Sequence, residues 1–461
     1  MNELDAGRRH PADELRLAPL AESVRQARRF LREHLQRAGR EAWADAAELA
    51  LSEVVTNGVL HAHTELVVRV QVRSDAVHVE VSDANPTLPV QRRGHDAEAT
   101  TGRGLELVAA LTRECGVRPE PAGKVVWFEV GDGPEPDEPS EDELLAAWDI
   151  DALWEVEAPG TASAPSEVRE VVLKNLPTTL WMAAREHHQA LLRELVLYLA
   201  EHADALPNPP DLIAADQART LIWTALVEEV DRARAEGRTR RPLPDGHPSP
   251  LPDVPAGLDL HLRVPADMGH AFGAMQDALD VCERLSAADL LLVRPGLPEI
   301  IAVRDWTCEQ VVAQLAGVPP SPWAGTDQSR FTELVHDRDE PEVPEWDASL
   351  VTASDKGVVA ADDANRIIAI SEPLARLVGW PVEDIVGRRV VALIPPHLRE
   401  AHVAGFSRHL STGQANVLGI PLSLPVLHRD GYEISCSFLV ERAPVGGGRP
   451  VYLAWIEPAG D

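Results

Sequence analysis

The stretch Glu48 to His63, ELALSEVVTNGVLHAH, constrains this chain more than any other. Glu53, Asn57 and His61 recur at every fourth position. On a helix of about 3.6 residues per turn, that spacing sets an acid, an amide and an imidazole on nearly one face. Leu51, Val54, Val55 and Val59 supply an apolar surface suited to packing on a sheet. Plain packing of a half-buried helix does not ask for three aligned polar groups. A carboxylate accepts a proton, and an amide oxygen is a hard, neutral ligand suited to Mg²⁺, which keeps several waters and binds phosphates. The pattern predicts a metal–nucleotide site.

Two later segments support that reading. Val77 to Asp83 alternates as a strand and ends in an aspartate. Ala84 to Thr100 is polar, with Pro86, Pro89 and Gly94, and reads as a mobile loop. Thr101-Gly102-Arg103-Gly104-Leu105-Glu106-Leu107-Val108 then opens an apolar helix on glycines. Glycines there let the backbone approach phosphate oxygens, with unsatisfied N–H groups at the helix start.

Glu53-x-x-x-Asn57-x-x-x-His61, then Asp83, then Gly102-x-Gly104, resembles the GHKL ATPase superfamily over residues 12–131. The branch it looks most similar to is that of the anti-sigma-factor serine/threonine kinases. The resemblance implies that Glu53 is the general base, Asn57 the Mg²⁺ ligand and Asp83 the acceptor for the adenine amino group. It also implies that Gly102 and Gly104 border the triphosphate, with Thr101, Arg103 and Leu105 as nucleotide-binding positions beside them. Ala84 to Thr101 would be the ATP lid. His61 would serve structure first and phosphate contact second. One box departs from the family pattern, which is usually Asp-x-Gly-x-Gly; here it reads Asp83-Ala84-Asn85-Pro86-Thr87. Asn85 is a partial substitute for glycine because asparagine tolerates left-handed backbone. Pro86 fixes φ and removes a donor. The departure bears on phosphotransfer more than on nucleotide binding.

The chain has 461 residues, enough for two to four domains, and 44% hydrophobic content gives material for several cores. Only 4% are aromatic, so leucine, valine and alanine must fill the interior. Seventy-four acids against 43 bases leave a net charge of −31, which repels a phosphate backbone and argues against direct nucleic-acid binding. Cys115, Cys282, Cys308 and Cys436 form no C-x-x-C pair, which argues against zinc and redox motifs and fits a reduced cytoplasmic setting. The N-terminus carries no apolar signal core, and no apolar stretch is long enough to span a membrane.

Before the central helix, Leu20, Val24, Ala27, Leu31 and Leu35 recur at helical spacing. After it come strand patterns at Glu65–Arg73, Val77–Asp83 and Lys124–Val130, which predict an α/β sandwich. Residues 132–166 are an acidic, proline-rich linker. Residues 167–316 read as a helical bundle: Glu167 to His202, broken or started again near Pro177, then Asp211 to Ala235, Pro265 to Ser286 and Pro295 to Leu315. Homodimerisation through this region or the C-terminal domain is the expected role. Adjacent His187 and His188 read as a solvated pair, and Glu228, Glu229 and Asp231 as a wet face. Residues 317–345 form a second linker.

From Trp346 the pattern changes. Gly357–Ala361 and Arg366–Ile370 are short strands, and Ser371 caps a helix. Later strands cover Asn416–Leu427, Glu433–Glu441 and Pro450–Ile456, with Asp430-Gly431 in a hairpin turn. Together with Val378-Gly379-Trp380 and Leu393-Ile394-Pro395, these resemble a PAS sensor domain over residues 346–457. The segment around His402 and His409 resembles the one that carries the proximal histidine of haem-PAS sensors, with His402 at the axial position. Leu422 stands where such sensors place a distal arginine, and a surface histidine is the preferred reading. The overall expectation is a multidomain α+β signalling regulator. It binds Mg-ATP, phosphorylates serine or threonine of a regulatory protein (an anti-sigma antagonist or sigma factor), and senses a signal through the PAS domain. The alternatives are a non-catalytic ATP-dependent binding switch or a PAS-gated scaffold.

Overall fold

The computed structural model describes residues 13–84, 108–120, 123–132, 167–237, 254–255, 257–325, 346–412, 417–443 and 449–459. Both expected linkers lie largely outside these residues, as do Asn85, Thr101, Gly102, Arg103, Gly104, Leu105 and nearly all of the expected lid.

The N-terminal unit has one antiparallel sheet, two long helices and, among the described residues, a further helical stretch at 108–111. Strands β1 (Glu14–Leu17), β2 (Leu66–Val72), β3 (Ala76–Asp83), β4 (Glu114–Glu120) and β5 (Gly123–Gly131) lie in the order β1-β2-β3-β5-β4. Helix α1 (Glu22–Arg37) turns Val24, Ala27, Leu31 and Leu35 inward, as their spacing predicts. Leu20 precedes it and is exposed. Helix α2 (Ala44–His61) is the central helix. The reading of it as half-buried needs correction: Leu51, Val54 and Val55 are buried, and so are Glu53, Asn57 and His61. A helix buried all round needs cover on its polar side too, and the middle of the chain provides it.

That middle region is not a pure helical bundle. Residues expected to begin a helix at Glu167 form strand β6 (Val168–Pro177), which pairs antiparallel with β7 (Gly257–Pro265). Alternate residues of β7, Leu258, Leu260, Leu262 and Val264, are buried, which is the period of a strand. Helices α3 (Thr178–Glu201), α4 (Leu212–Ala235), α5 (Gly269–Ala287) and α6 (Pro298–Leu315) pack around this ribbon. Asp211 caps α4 by accepting from the Ala214 N–H, and Pro298 opens α6 in its first turn. His187 and His188 are not a solvated pair. Both are buried on α3, and His187 Nε2 lies 3.6 Å from Glu283 Oε1 on α5. Burial holds His188 well below the ordinary histidine value, and the nearby Arg304 pushes the same way.

The C-terminal unit opens with the short α7 (Ser349–Thr352), then strands β8 (Val358–Ala361) and β9 (Ile367–Ile370). Helices α8 (Glu372–Val378), α9 (Val382–Ile385) and α10 (Arg399–Thr412) follow, then strands β10 (Leu422–Leu427), β11 (Glu433–Arg442) and β12 (Tyr452–Pro458). The sheet order is β10-β11-β12-β8-β9, with every neighbouring pair antiparallel. Ser371 Oγ caps α8 as expected, and Gly379 closes it at φ 70°.

The three units share packing. One apolar core runs from Leu17 through the sandwich and the middle region to Val403 and Ala404 on α10. Arg389 of the C-terminal unit forms a two-pronged ion pair with Glu299 of α6, at 2.7 and 2.8 Å. Arg408 on α10 lies 3.4 Å from Glu186 on α3. Among the described residues, no helix is long and apolar enough to cross a membrane.

His402 sits in this junction. The Asn365 amide lies 3.1 Å from its Nε2, and the ring stacks on Phe406. It is half-buried on α10, satisfied as expected but less exposed than a surface residue, and its Nε2 is engaged with Asn365 within the fold. Burial pushes its imidazole down to about 4, with Arg389 adding to the effect. The folded ring therefore stays neutral where an unfolded one, near pKa 6.5, takes up a proton. Its contribution to stability is complete above about pH 6.5 and is lost as pH falls towards 4, in all roughly 3 kcal/mol. Thermal melts across that range are expected to decline less steeply for His402→Gln than for the native chain. Equal slopes would show that His402 does not carry this linkage.

Candidate functional site

Glu53, Asn57 and His61 occupy successive turns of α2 and are 4%, 7% and 8% exposed. Their spacing puts them on one face, and α3 and α4 cover that face. Arg193 on α3 forms an ion pair with Glu53. Asp216 on α4 lies 3.5 Å from His61 Nδ1 and 3.0 Å from His63 Nε2. Arg219, one turn further along α4, holds Asp216 at 2.6 Å and reaches within 3.4 Å of His61. The Asn57 side chain, between these two contacts, has no hydrogen-bond partner among the described residues.

The electrostatics follow from burial and close partners. Burial alone would raise the Asp216 carboxyl, but Arg219, His61 and His63 outweigh it and hold the group well below the usual carboxylate range. Burial also pushes the His61 imidazole below its ordinary value, with Asp216 opposing the shift. At neutral pH the cluster is therefore a neutral ring beside a carboxylate–guanidinium pair.

Asp83 ends β3 and is 6% exposed. Lys124 stands opposite it on β5, its Nζ 3.7 Å from Asp83 Oδ2. Burial lowers the Lys124 ammonium, while the Asp83 charge raises it. Next to Lys124, Gly123 has a φ of +153°, and a Cβ there would sit 1.8 Å from the Asp83 carbonyl oxygen. Only glycine permits that approach, so Gly123 fixes where Asp83 lies.

The structure thus brings Glu53, Asn57 and His61 together on α2 and sets Asp83 at the end of β3. The expected phosphate-binding positions Thr101, Gly102, Arg103, Gly104 and Leu105, and Asn85, fall outside the described residues. Sequence reasoning missed Arg193, Asp216, Arg219, Lys124 and Gly123. Of these, only the Gly123-Lys124 pair at a strand start carried a signal, since a glycine opening a strand marks close backbone approach.

Residues 17–130 match the family model described as the histidine kinase-like ATPase domain. An uncharacterized protein of Azorhizobium caulinodans is 26% identical over 114 residues, which are 24% of this chain and 15% of that protein. The chain therefore spans only a small part of that relative's length. Among solved structures, the PAS domain of an HTR-like protein from Haloarcula marismortui is similar at 16% identity and a TM-score of 0.20, covering 24% of this chain and 88% of that one. A PAS domain of a Colwellia psychrerythraea protein is similar at 18% identity and a TM-score of 0.21, covering 24% and 92%.

Proposed function

We propose that the N-terminal unit binds Mg-ATP along the Glu53–Asn57–His61 face of α2 and transfers a phosphoryl group to a serine or threonine of a regulatory protein. An anti-sigma antagonist or a sigma factor is the class of partner intended. The C-terminal unit acts as a PAS-type sensor that controls the transfer. The observation that carries the reading is Asn57. A side-chain amide only 7% exposed, without a hydrogen bond to any described residue, is placed between a carboxylate and an imidazole. A hard oxygen in that setting fits Mg²⁺, which tolerates a single amide ligand because phosphates and waters complete its shell.

Bound Mg-ATP supplies an electrophilic terminal phosphorus. The acceptor hydroxyl oxygen would bond to that phosphorus as its bond to the departing ADP oxygen breaks, Glu53 would take the hydroxyl proton, and Asn57 is the residue that would hold Mg²⁺. Asp83, held by Gly123 and Lys124, receives the adenine amino group. His61, kept neutral by burial, gives the phosphates a polar neighbour without adding a fixed charge. A second reading has a specific observation behind it. Arg193 engages the Glu53 carboxylate, as suits a protein in which nucleotide changes shape and a partner reads that shape without phosphorylation.

Calorimetric titration of the full chain with ATP is expected to show binding that needs Mg²⁺ and falls at least about a hundredfold in Asn57→Ala, the loss of a metal ligand being worth several kcal/mol. Glu53→Gln is expected to keep that binding and to lose phosphotransfer to the partner. No binding by folded native protein would remove the ATPase reading. Binding without phosphotransfer in either protein would leave the switch.

A further inference from the structure

We propose that α3 and α4 form an intramolecular cap over the nucleotide face of α2, gripped elsewhere along α3 by the C-terminal unit and displaced when Mg-ATP binds. The inference rests on the reading of that face as an ATP site. It adds how the site is regulated.

Three observations carry it. First, the cap engages the functional side chains themselves. Arg193 takes Glu53, and Asp216 with Arg219 takes His61 and His63. Second, the part of the contact that meets His61 is buried: Asp216 and Arg219 are 2% and 3% exposed. Nucleotide phosphates carry several charges and water, and α3 and α4 lie over the face of α2 that they would occupy. Third, the cap's groups are only partly satisfied where they sit. Arg193 Nε is buried without a hydrogen-bond partner among the described residues. An unmet buried donor makes the closed state less favourable than its ion pairs suggest. It also gives an arriving anion something to gain when the cap moves.

The same helix faces the C-terminal unit. Glu186 on α3 meets Arg408 on α10, and His187 lies 3.5 Å from Ser411 on α10. The α3 helix therefore touches the catalytic face with Arg193 and the sensor with Glu186 and His187. A change in how α10 seats on α3 shifts the balance between covered and open α2, and nucleotide affinity follows the open fraction.

The test uses the full chain and Mg-ATP. Arg193→Ala is expected to bind Mg-ATP roughly tenfold more tightly than the native protein, because it raises the open fraction. Hydrogen exchange supplies a measurement that needs no substitution. In the native protein, adding Mg-ATP is expected to speed exchange of amides in α3 and α4 while α5 and α6 stay unchanged. If the native protein binds Mg-ATP and Arg193→Ala binds equally or more weakly, the cap is overturned and the ATP site stands. Unchanged exchange in α3 and α4 on binding would overturn it in the same way. If neither protein binds Mg-ATP, the cap and the ATP reading fall together.

Discussion

Arg389→Ala is expected to destabilise the junction between the C-terminal unit and α6 by about 3–5 kcal/mol, the cost of stranding one member of a buried ion pair. The Arg389 guanidinium meets both oxygens of Glu299 at 2.7 and 2.8 Å, and the two residues are 4% and 8% exposed. Water cannot readily replace the lost partner at that depth, and Glu299 would keep only the attraction of the nearby Arg399. Glu299→Ala strands the arginine instead and is expected to cost a similar amount. The double substitution Glu299→Leu with Arg389→Met removes both charges and is expected to recover much of the loss, since a well-packed apolar pair often equals a buried ion pair. Denaturant unfolding of the four proteins checks this. Single variants within about 0.5 kcal/mol of the native protein, the usual range for surface changes, would mean that the pair is screened by solvent.

Gly123→Ala has the next largest expected effect. A Cβ at Gly123 would lie 1.8 Å from the Asp83 carbonyl oxygen and 2.9 Å from its carbonyl carbon, both backbone atoms in the neighbouring strand. Backbone cannot rotate aside as a side chain does, so β3 and β5 must separate at the residue expected to read adenine. The strain is expected to cost roughly 2–3 kcal/mol and to weaken Mg-ATP binding by moving Asp83. Gly116→Ala is the matched control. The three atoms nearest its new Cβ belong to the Trp127 side chain, at 3.0 to 3.1 Å, and a side chain can shift. Thermal melts of the two variants that coincide would sink the argument, because backbone and side-chain obstruction would then cost the same.

Much of this architecture is legible in the sequence wherever the pattern is local. The alternation from Ala76 to Asp83 and the four-residue recurrence through Glu53, Asn57 and His61 each need only one element to be read. Ser371 before a short helix and Asp430-Gly431 between two strands are equally local signals, and both sit where expected. Legibility fails where a partner comes from far along the chain. β6 reads as helix because Val168 to Leu176 mixes leucine, valine, lysine and glutamate. Its strand character comes from pairing with β7, Val168 opposite Pro265. β4 is largely exposed and carries Pro119, so it shows no alternation until β5 pairs with it. His187 and His188 look like a wet pair because Glu283 and Arg304, which accompany them in the interior, belong to other helices. The same holds for the site. The recurrence on α2 names three of its side chains, but nothing near Glu53 announces an arginine from α3.

The run of α3 between Glu186 and Arg193 is about two helical turns, or about 10.5 Å of rise. Contacts to the C-terminal unit and to Glu53 thus leave the helix in nearly the same direction, and the rod behaves like a screw of fixed pitch joining two sockets. Adding one residue between them would swing Arg193 by about 100° and point it away from α2. Adding a full heptad would restore its bearing but move it out of reach along the axis. The number of residues in that stretch, more than their identity, therefore sets whether one helix can hold both contacts at once, and a change in length there would uncouple the C-terminal unit from Glu53.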